Sequence, residues 1–472
     1  MILPDDLPKA APGTQGTPPE DIDSVPPPAY PGYPSYQRGQ LRIYPDSSTA
    51  VPLRPCSIPL AKAESATGRL LRALVAAAMV WSLACAMIWT VDIRIWWARR
   101  DNVAEPGIPW PDAQDGKIIE CEHGYGRWSG PSETPTWAFD LPLSADMLYI
   151  FSRGSLSRGS LNVIQSPKWL RRDAAGVEVT IQNVQKSSFE VITVCKLERE
   201  SGHSGIGVFT SSSRPGSQSD QLEISISIVL PVDNPTHITA LETRLPGFLH
   251  SVHTGSDITF GFLSFTTEHT QISAEYLRAE DVKLQTSNGG IIGHIDVTHS
   301  LELITSNSQI RTNITAHHDG ASDSYTKVKM RTSNAPIISS MDLIATTADA
   351  SGGMFDFDAR TSNGKLELEI PLIPLDSTLK LSARTSNAHA IVAVSPAYEG
   401  SFLLRTSTTS PSLENEERAK DPSGRRRYRR LMFVRNRGVM YGTVAWGERR
   451  PGAQMGNIEV TSSNSDVLLD LL

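Results

Sequence analysis

The stretch Val282-Lys283-Leu284-Gln285-Thr286-Ser287-Asn288 decides the fold, because the chain keeps returning to it. Its last three residues recur as Thr305-Ser306-Asn307, Thr332-Ser333-Asn334, Thr361-Ser362-Asn363 and Thr385-Ser386-Asn387. Weaker copies follow at Thr406-Ser407-Thr408 and Ser462-Ser463-Asn464. Successive asparagines of the five full copies lie 19, 27, 29 and 24 residues apart, which is the period range of stacked structural repeats. Before each phrase, apolar residues alternate with polar ones: Leu301 and Leu303, Val328 and Met330, Leu379 and Leu381. Alternate side chains of a strand face opposite sides, so this parity sends the apolar residues, the Thr and the Asn inward. The other parity carries Lys283, Gln285, Lys329 and Lys380 outward, together with Arg331, Arg360, Arg384 and Arg405.

Asn tolerates left-handed backbone and bonds neighbouring backbone groups, so it suits a corner where a strand turns sharply. In a parallel stack, Asn288, Asn307, Asn334, Asn363, Asn387 and Asn464 would come about 4.8 Å apart and hydrogen-bond as a ladder. A second short strand follows each corner, over 290–297, 309–316, 337–343, 365–370 and 389–394. The competing architecture is a run of antiparallel hairpins, which would not need one tripeptide at every turn.

The Thr-Ser-Asn coils resemble the putative-adhesin β-solenoid family, and the resemblance covers roughly residues 220–472. Leu222–Pro231 resembles that family's opening strand, and Gly456–Asn464 its final coil. The resemblance implies a mainly β chain with a right-handed parallel β-helix and no established catalytic residues. Insertions after His317, Ala345 and Thr408 depart from the family's regular spacing, the last a charged one at about 409–437.

Upstream, residues 1–69 read as a disordered tail. Fourteen of the 32 prolines fall before Ala61, and few large apolar residues are present to build a core. Pro27-Pro28-Ala29-Tyr30 fits the Pro-Pro-x-Tyr ligand of WW domains, since a polyproline II segment offers its prolines to aromatic grooves at low entropic cost. No apolar signal region follows Met1, so a cleaved secretory peptide is not expected.

Residues 73–91 contain no charge, which is long enough to span a bilayer core as a helix. With Trp89, Trp96 and Trp97 as an interfacial belt, the membrane segment is placed at 70–97. Lys62, Arg69 and Arg72 on one side balance Arg94, Arg99 and Arg100 on the other. Flanking charge therefore leaves the orientation undecided. A WW ligand belongs in the cytosol, and Asn313-Ile314-Thr315 is a candidate glycan acceptor in the secretory lumen. Together these favour a type II single-pass protein. Residues 98–135 read as a juxtamembrane linker and 136–219 as a β-rich lead-in to the solenoid at 220–472. Cys121 and Cys195 are the two cysteines beyond the apolar stretch, and an oxidising lumen would allow them to pair. Sequence does not give the distance between them.

The signals for chemistry are few. A net charge of −7 over 472 residues argues against a nucleic-acid partner. Four scattered cysteines make no zinc module. No nucleophile elbow or phosphate-binding loop is present. No cofactor or metal is expected. His317-His318 lies beside Asp319 and Gly320, where a solvated loop pair is the expected reading. The Arg331, Arg360, Arg384 and Arg405 column could bind an anionic polysaccharide, or simply be compensated by neighbouring acids. Arg425–Arg430 reads as an exposed charged loop, with dibasic processing as another possibility. The expected function is a non-enzymatic adhesin-like or scaffold module with a glycan or protein ligand. The alternative is a membrane-tethered carbohydrate-active enzyme.

Overall fold

The computed structural model describes residues 111, 113–123, 135–154, 158–166, 171–182, 192–210, 223–232, 235–320, 323–416, 419–448 and 455–472. The proline-rich tail with Pro27, Pro28 and Tyr30, and the apolar stretch at 70–97, lie outside them. No helix among the described residues is long and apolar enough to cross a membrane. The described elements are all strands.

The lead-in strands are β1 (Lys117–His123), β2 (Thr136–Pro142), β3 (Met147–Arg153), β4 (Arg158–Gln165), β5 (Ala174–Gln182), β6 (Ile192–Glu198), β7 (His203–Thr210) and β8 (Glu223–Leu230). The stack continues through β9 (Thr236–Arg244), β10 (Phe248–His253), β11 (Ile258–Thr266), β12 (Ile272–Gln285), β13 (Ile291–Ile304), β14 (Ile310–His318), β15 (Thr326–Arg331), β16 (Ile337–Ala345), β17 (Met354–Arg360) and β18 (Leu366–Leu372). It closes with β19 (Thr378–Thr385), β20 (Ala390–Val394), β21 (Gly400–Thr406), β22 (Ser412–Asn415), β23 (Arg429–Asn436), β24 (Val439–Trp446), β25 (Gly456–Ser462) and β26 (Val467–Leu471).

Each rung is one strand, a sharp corner and a second strand on the opposite face. The first face runs β3-β9-β11-β12-β13-β15-β17-β19-β25-β21, every neighbour parallel. The second runs β4-β10-β12-β13-β14-β16-β18-β20-β26-β22, again all parallel. β12 and β13 are long enough to serve both faces, bending where the register shifts. Hairpins would have given antiparallel pairs here; the observed ladder is that of a β-solenoid. Its core is one row after another of stacked apolar residues, such as Val328, Phe357 and Leu381, each in register with the next and at most 2% exposed.

The tripeptide divides its work between the two sides of the corner. Thr points inward and is buried in every full copy. Its hydroxyl donates to a carbonyl of the preceding rung: Thr305 to Gly289 O at 3.0 Å, Thr361 to Ala335 O at 3.1 Å, Thr385 to Gly364 O at 3.1 Å. The Ser carbonyl accepts both the Ser and the Asn N–H of the next rung, as Ser333 does from Ser362 and Asn363. These bonds satisfy the backbone groups that a corner would otherwise leave unpaired.

The Asn side chains do form the expected ladder. Asn307 donates to Asn288, Asn334 to Asn307, Asn363 to Asn334, Asn387 to Asn363 and Asn464 to Asn387, at 2.6–2.8 Å. The inward orientation expected for them does not hold. All six are exposed, because the chain has already turned at Thr and the strand alternation no longer applies beyond it.

Two further expectations, the linker and the final coil, are corrected, and the β-rich lead-in proves to be both first coil and cap. The linker assigned to 98–135 contains strand β1, antiparallel to β6, with Cys121 and Cys195 directly opposite and joined as a disulfide. The lead-in region supplies the first rung, β3 and β4, and also an antiparallel cap made of β1, β6 and β7 on one face and β2, β5 and β8 on the other. Gly456–Asn464 is not the final coil. β25 lies between β19 and β21, and β26 between β20 and β22, so the last residues of the chain thread back into the stack. The end rung is β21/β22, covered on one side by the antiparallel hairpin β23/β24 that fills much of the charged insertion.

Candidate functional site

Inward positions are occupied by core, so any site must lie on the outward parity. On the first face, Arg331, Arg360 and Arg384 stand in register on adjacent strands. Thr461 of β25 follows Arg384, and Arg405 comes only after it. The threaded strand thus breaks the column that sequence order suggested. Acids on the same face pair with the cations: Asp358 lies 3.4 Å from Arg331 and 2.7 Å from Arg360, and Glu459 lies 2.9 Å from Arg384. One row along, Glu302 bridges Lys283 and Lys329. Lys329 beside it holds the Glu302 carboxyl below the usual carboxylate range, against its partial burial. This face is a compensated lattice of charge rather than an open cationic groove.

The second face carries the more distinctive chemistry. Burial pushes the Asp296 carboxyl up, but contacts from His317, Tyr276 and Thr315 overcome this and bring it down to about 2. Tyr276 donates its hydroxyl to Asp296 at 2.8 Å, and burial together with that carboxylate pushes the phenol up to about 12. His294 Nε2 lies 3.1 Å from the same carboxylate, and His317 Nε2 lies 3.7 Å away, beyond hydrogen-bond length. Arg278 is the register partner of Asp296 on β12.

Next to this network, the return from β14 to β15 roofs a cleft of about 230 Å³. Arg278, Glu280, His299, His317 and Asp319 line it. Carboxylates, a guanidinium and imidazoles so close together offer both donors and acceptors, which suits a hydroxyl-rich ligand more than an apolar one. No group of side chains suited to hold a metal is found among the described residues.

The expected solvated loop pair at His317-His318 is corrected. The two residues end strand β14, and their side chains diverge as strand neighbours must. His317 faces Asp296 and the cleft, with its side chain only 19% exposed. His318 is buried in the turn, where Nδ1 accepts the Gly320 N–H at 2.8 Å and Nε2 meets Ser324 O at 2.9 Å. Sequence reading missed Tyr276, Arg278, Glu280, His294, Asp296 and His299. The signal was their shared outward parity, which becomes visible only once the rung register is known.

Asn313 is exposed on β14 between His294 and Ser340. The Arg425–Arg430 segment is only partly a free loop. Arg427 bonds Asp421 at 3.0 Å and Glu399 at 3.2 Å, and Arg429 donates to the carbonyls of Leu471 and Leu472. Arg425, Arg426 and Arg430 remain exposed.

No protein-family model matches the sequence, and a search of curated proteins gives no match. Among solved structures, the crystal structure of a "putative cell adhesion protein" from Clostridium sporogenes ATCC 15579 aligns over 72% of this chain and 99% of that one. The alignment has 7% identity and a TM-score of 0.17, too low to carry an argument about this chain.

Proposed function

We propose that the chain is a single-pass membrane protein whose β-solenoid, coiled in the right-handed sense, stands outside the cytosol as a non-enzymatic adhesin-like or scaffold module. The observation that carries the placement is the Cys121–Cys195 disulfide, since such bonds persist in oxidising compartments. The uncharged stretch 73–91 supplies the anchor, and the tail stays cytosolic with Pro27, Pro28 and Tyr30 open to a WW-domain partner. Asn313, exposed on an outer strand, is available to a glycan. The charge-compensated first face suits a stiff display scaffold, and the cleft at Arg278 and Glu280 is the place for a polar ligand such as a glycan.

That same cleft supports a second reading, a membrane-tethered carbohydrate-active enzyme, because a carboxylate and a cation meet there in one groove. One experiment separates the two. Full-length protein is screened against a glycan library, and each bound glycan is then followed for new chain ends. Binding without cleavage, lost in Glu280→Gln, supports the module. Cleavage lost in the same variant supports the enzyme, and binding that survives the substitution removes the cleft from both. The topology has its own check. Protease added to intact cells should digest the solenoid and spare a tag placed before Pro4; loss of the tag overturns the type II arrangement.

A further inference from the structure

The first face of the solenoid extends through its caps. With them it runs β1-β6-β7-β3-β9-β11-β12-β13-β15-β17-β19-β25-β21-β24-β23. Among the described residues β1 pairs only with β6, and β23 only with β24. Each therefore turns one row of backbone N–H and C=O groups away from the sheet, at opposite ends of it. Open edges of this kind are templates for another strand.

Both edges also show apolar side chains to solvent. On β1, Ile118 and Ile119 are 37% and 50% exposed, and Ile119 falls outside the β1–β6 register at a bulge. On β23, Met432 is 68% exposed, with Phe433 and Val434 close to half exposed. Their charges are opposite. β1 carries exposed Glu120 and Glu122 beyond its isoleucines against the single cation Lys117 before them, while β23 carries exposed Arg430 and Arg435, followed by Arg437.

Direction fits as well. β1 is antiparallel to β6 and β6 to β7, so β1 runs with β7 and the parallel stack. β24 opposes β21 and β23 opposes β24, so β23 runs with the stack too. Copies displaced along the stacking axis would thus bring β23 of one beside β1 of the next as parallel strands. Setting Ile118 and Ile119 against Met432 and Phe433 places Glu120 and Glu122 within a diagonal step of Arg435, in reach of cross-strand attraction. Pairing β23 with itself would instead bring two arginine-rich strands together.

We propose that the occupant of both edges is a second copy of this chain, joined head to tail through β23 and β1. Such a contact is heterologous and does not close, so it builds open rows of solenoids.

The test uses the full-length chain in mild detergent, followed by sedimentation and electron microscopy. Wild type should form dimers and longer rows that grow with concentration. Arg430→Glu/Arg435→Glu sets two acids on the β23 edge toward Glu120 and Glu122 and cancels its basic charge, and Glu120→Lys/Glu122→Lys makes both ends basic. Each variant alone should associate at least about tenfold more weakly, because like charges then meet across the junction. Mixed in equal amounts, they should recover rows, since every junction again joins opposite charges. Met432→Glu, at a site far from the core, provides a second block should either double variant lose its wild-type melting temperature. A wild type that stays monomeric, association untouched by Met432→Glu, or a mixture of folded variants that does not recover, overturns the proposal. An acidic strand from another protein would give the first of these outcomes.

Discussion

Two columns rise from the same tripeptide two residues apart, and they do different work. The Thr column faces in and is sealed from water; the Asn column faces out and is bathed in it. Both are continuous hydrogen-bond ladders along the stack. The difference is what replaces a lost bond. A buried backbone group deprived of its partner has nothing to turn to and costs about 1–3 kcal/mol, whereas an exposed amide returns to water. The inward column should therefore hold the stack together, and the outward one should chiefly select register.

The largest effect expected from this contrast is at Thr361. Its hydroxyl donates to Ala335 O at 3.1 Å and accepts the Gly364 N–H at 3.1 Å, so one oxygen serves two backbone groups. Thr361→Val keeps the shape and orphans both, at about 2–4 kcal/mol. Thr361→Ser should recover most of it, since Ser462 does the same work in its own rung by donating to Ala388 O and accepting the Ser465 N–H. Thermal melts of the three proteins measure this. Equal melting of wild type and Thr361→Val would erase the distinction between the columns.

A comparable effect is expected at another inward polar group, read through pH. His250 is fully buried, with Nδ1 on Phe248 O and Nε2 on Thr243, against the ring of Phe265. Burial drives its pKa from 6.5 down to about 4. Between those values the unfolded chain takes up a proton that the native state refuses. Stability is therefore full above pH 6.5 and falls as pH drops toward 4, by about 3 kcal/mol at about 1.4 kcal/mol per unit. His250→Gln does not titrate and should lose this component of the acid sensitivity. Parallel slopes of melting temperature against pH for wild type and variant would remove it.

How far the sequence reaches follows from what is local. The rungs were legible because apolar alternation and the repeated phrase are local signals, and four of the five strands after the corners fall within two residues of their expected limits; the fifth, β13, runs on to Ile304 and into the next face. The orientation of the Asn residues was not, because alternation holds only while the strand stays extended. One rung escaped notice altogether. Its corner reads Thr267-Glu268-His269, and His269 meets Asn288 at 3.0 Å in the place of the missing Asn. The threading of β25 and β26 depends on pairing at long range, yet a clue was present. Thr408 has no carboxamide to extend the ladder, whereas Asn464 does, and the rung that lacks the amide is the one at the end. The cleft was illegible for the same reason: Arg278, His299 and His317 come from three rungs.

The smallest effects separate the exposed side of the contrast from simple surface charge. Asn363 sits in the middle of the ladder, donating to Asn334 and accepting from Asn387, both at 2.7 Å. Because water can substitute at this exposed corner, Asn363→Ala should cost about 1 kcal/mol, well below Thr361→Val. Arg360, on the outward parity of the preceding strand, pairs with Asp358 at 2.7 Å while its side chain is 47% exposed. A pair so open is screened, and Asp358 keeps Arg331 as a second cation. Arg360→Ala should therefore shift stability by no more than about 0.5 kcal/mol. The three substitutions lie within four residues and should rank Thr361, Asn363, Arg360 in melting temperature lost. If Asn363→Ala proves as costly as Thr361→Val, the outer ladder is structural in its own right, held by cooperation among successive amides that water does not replace.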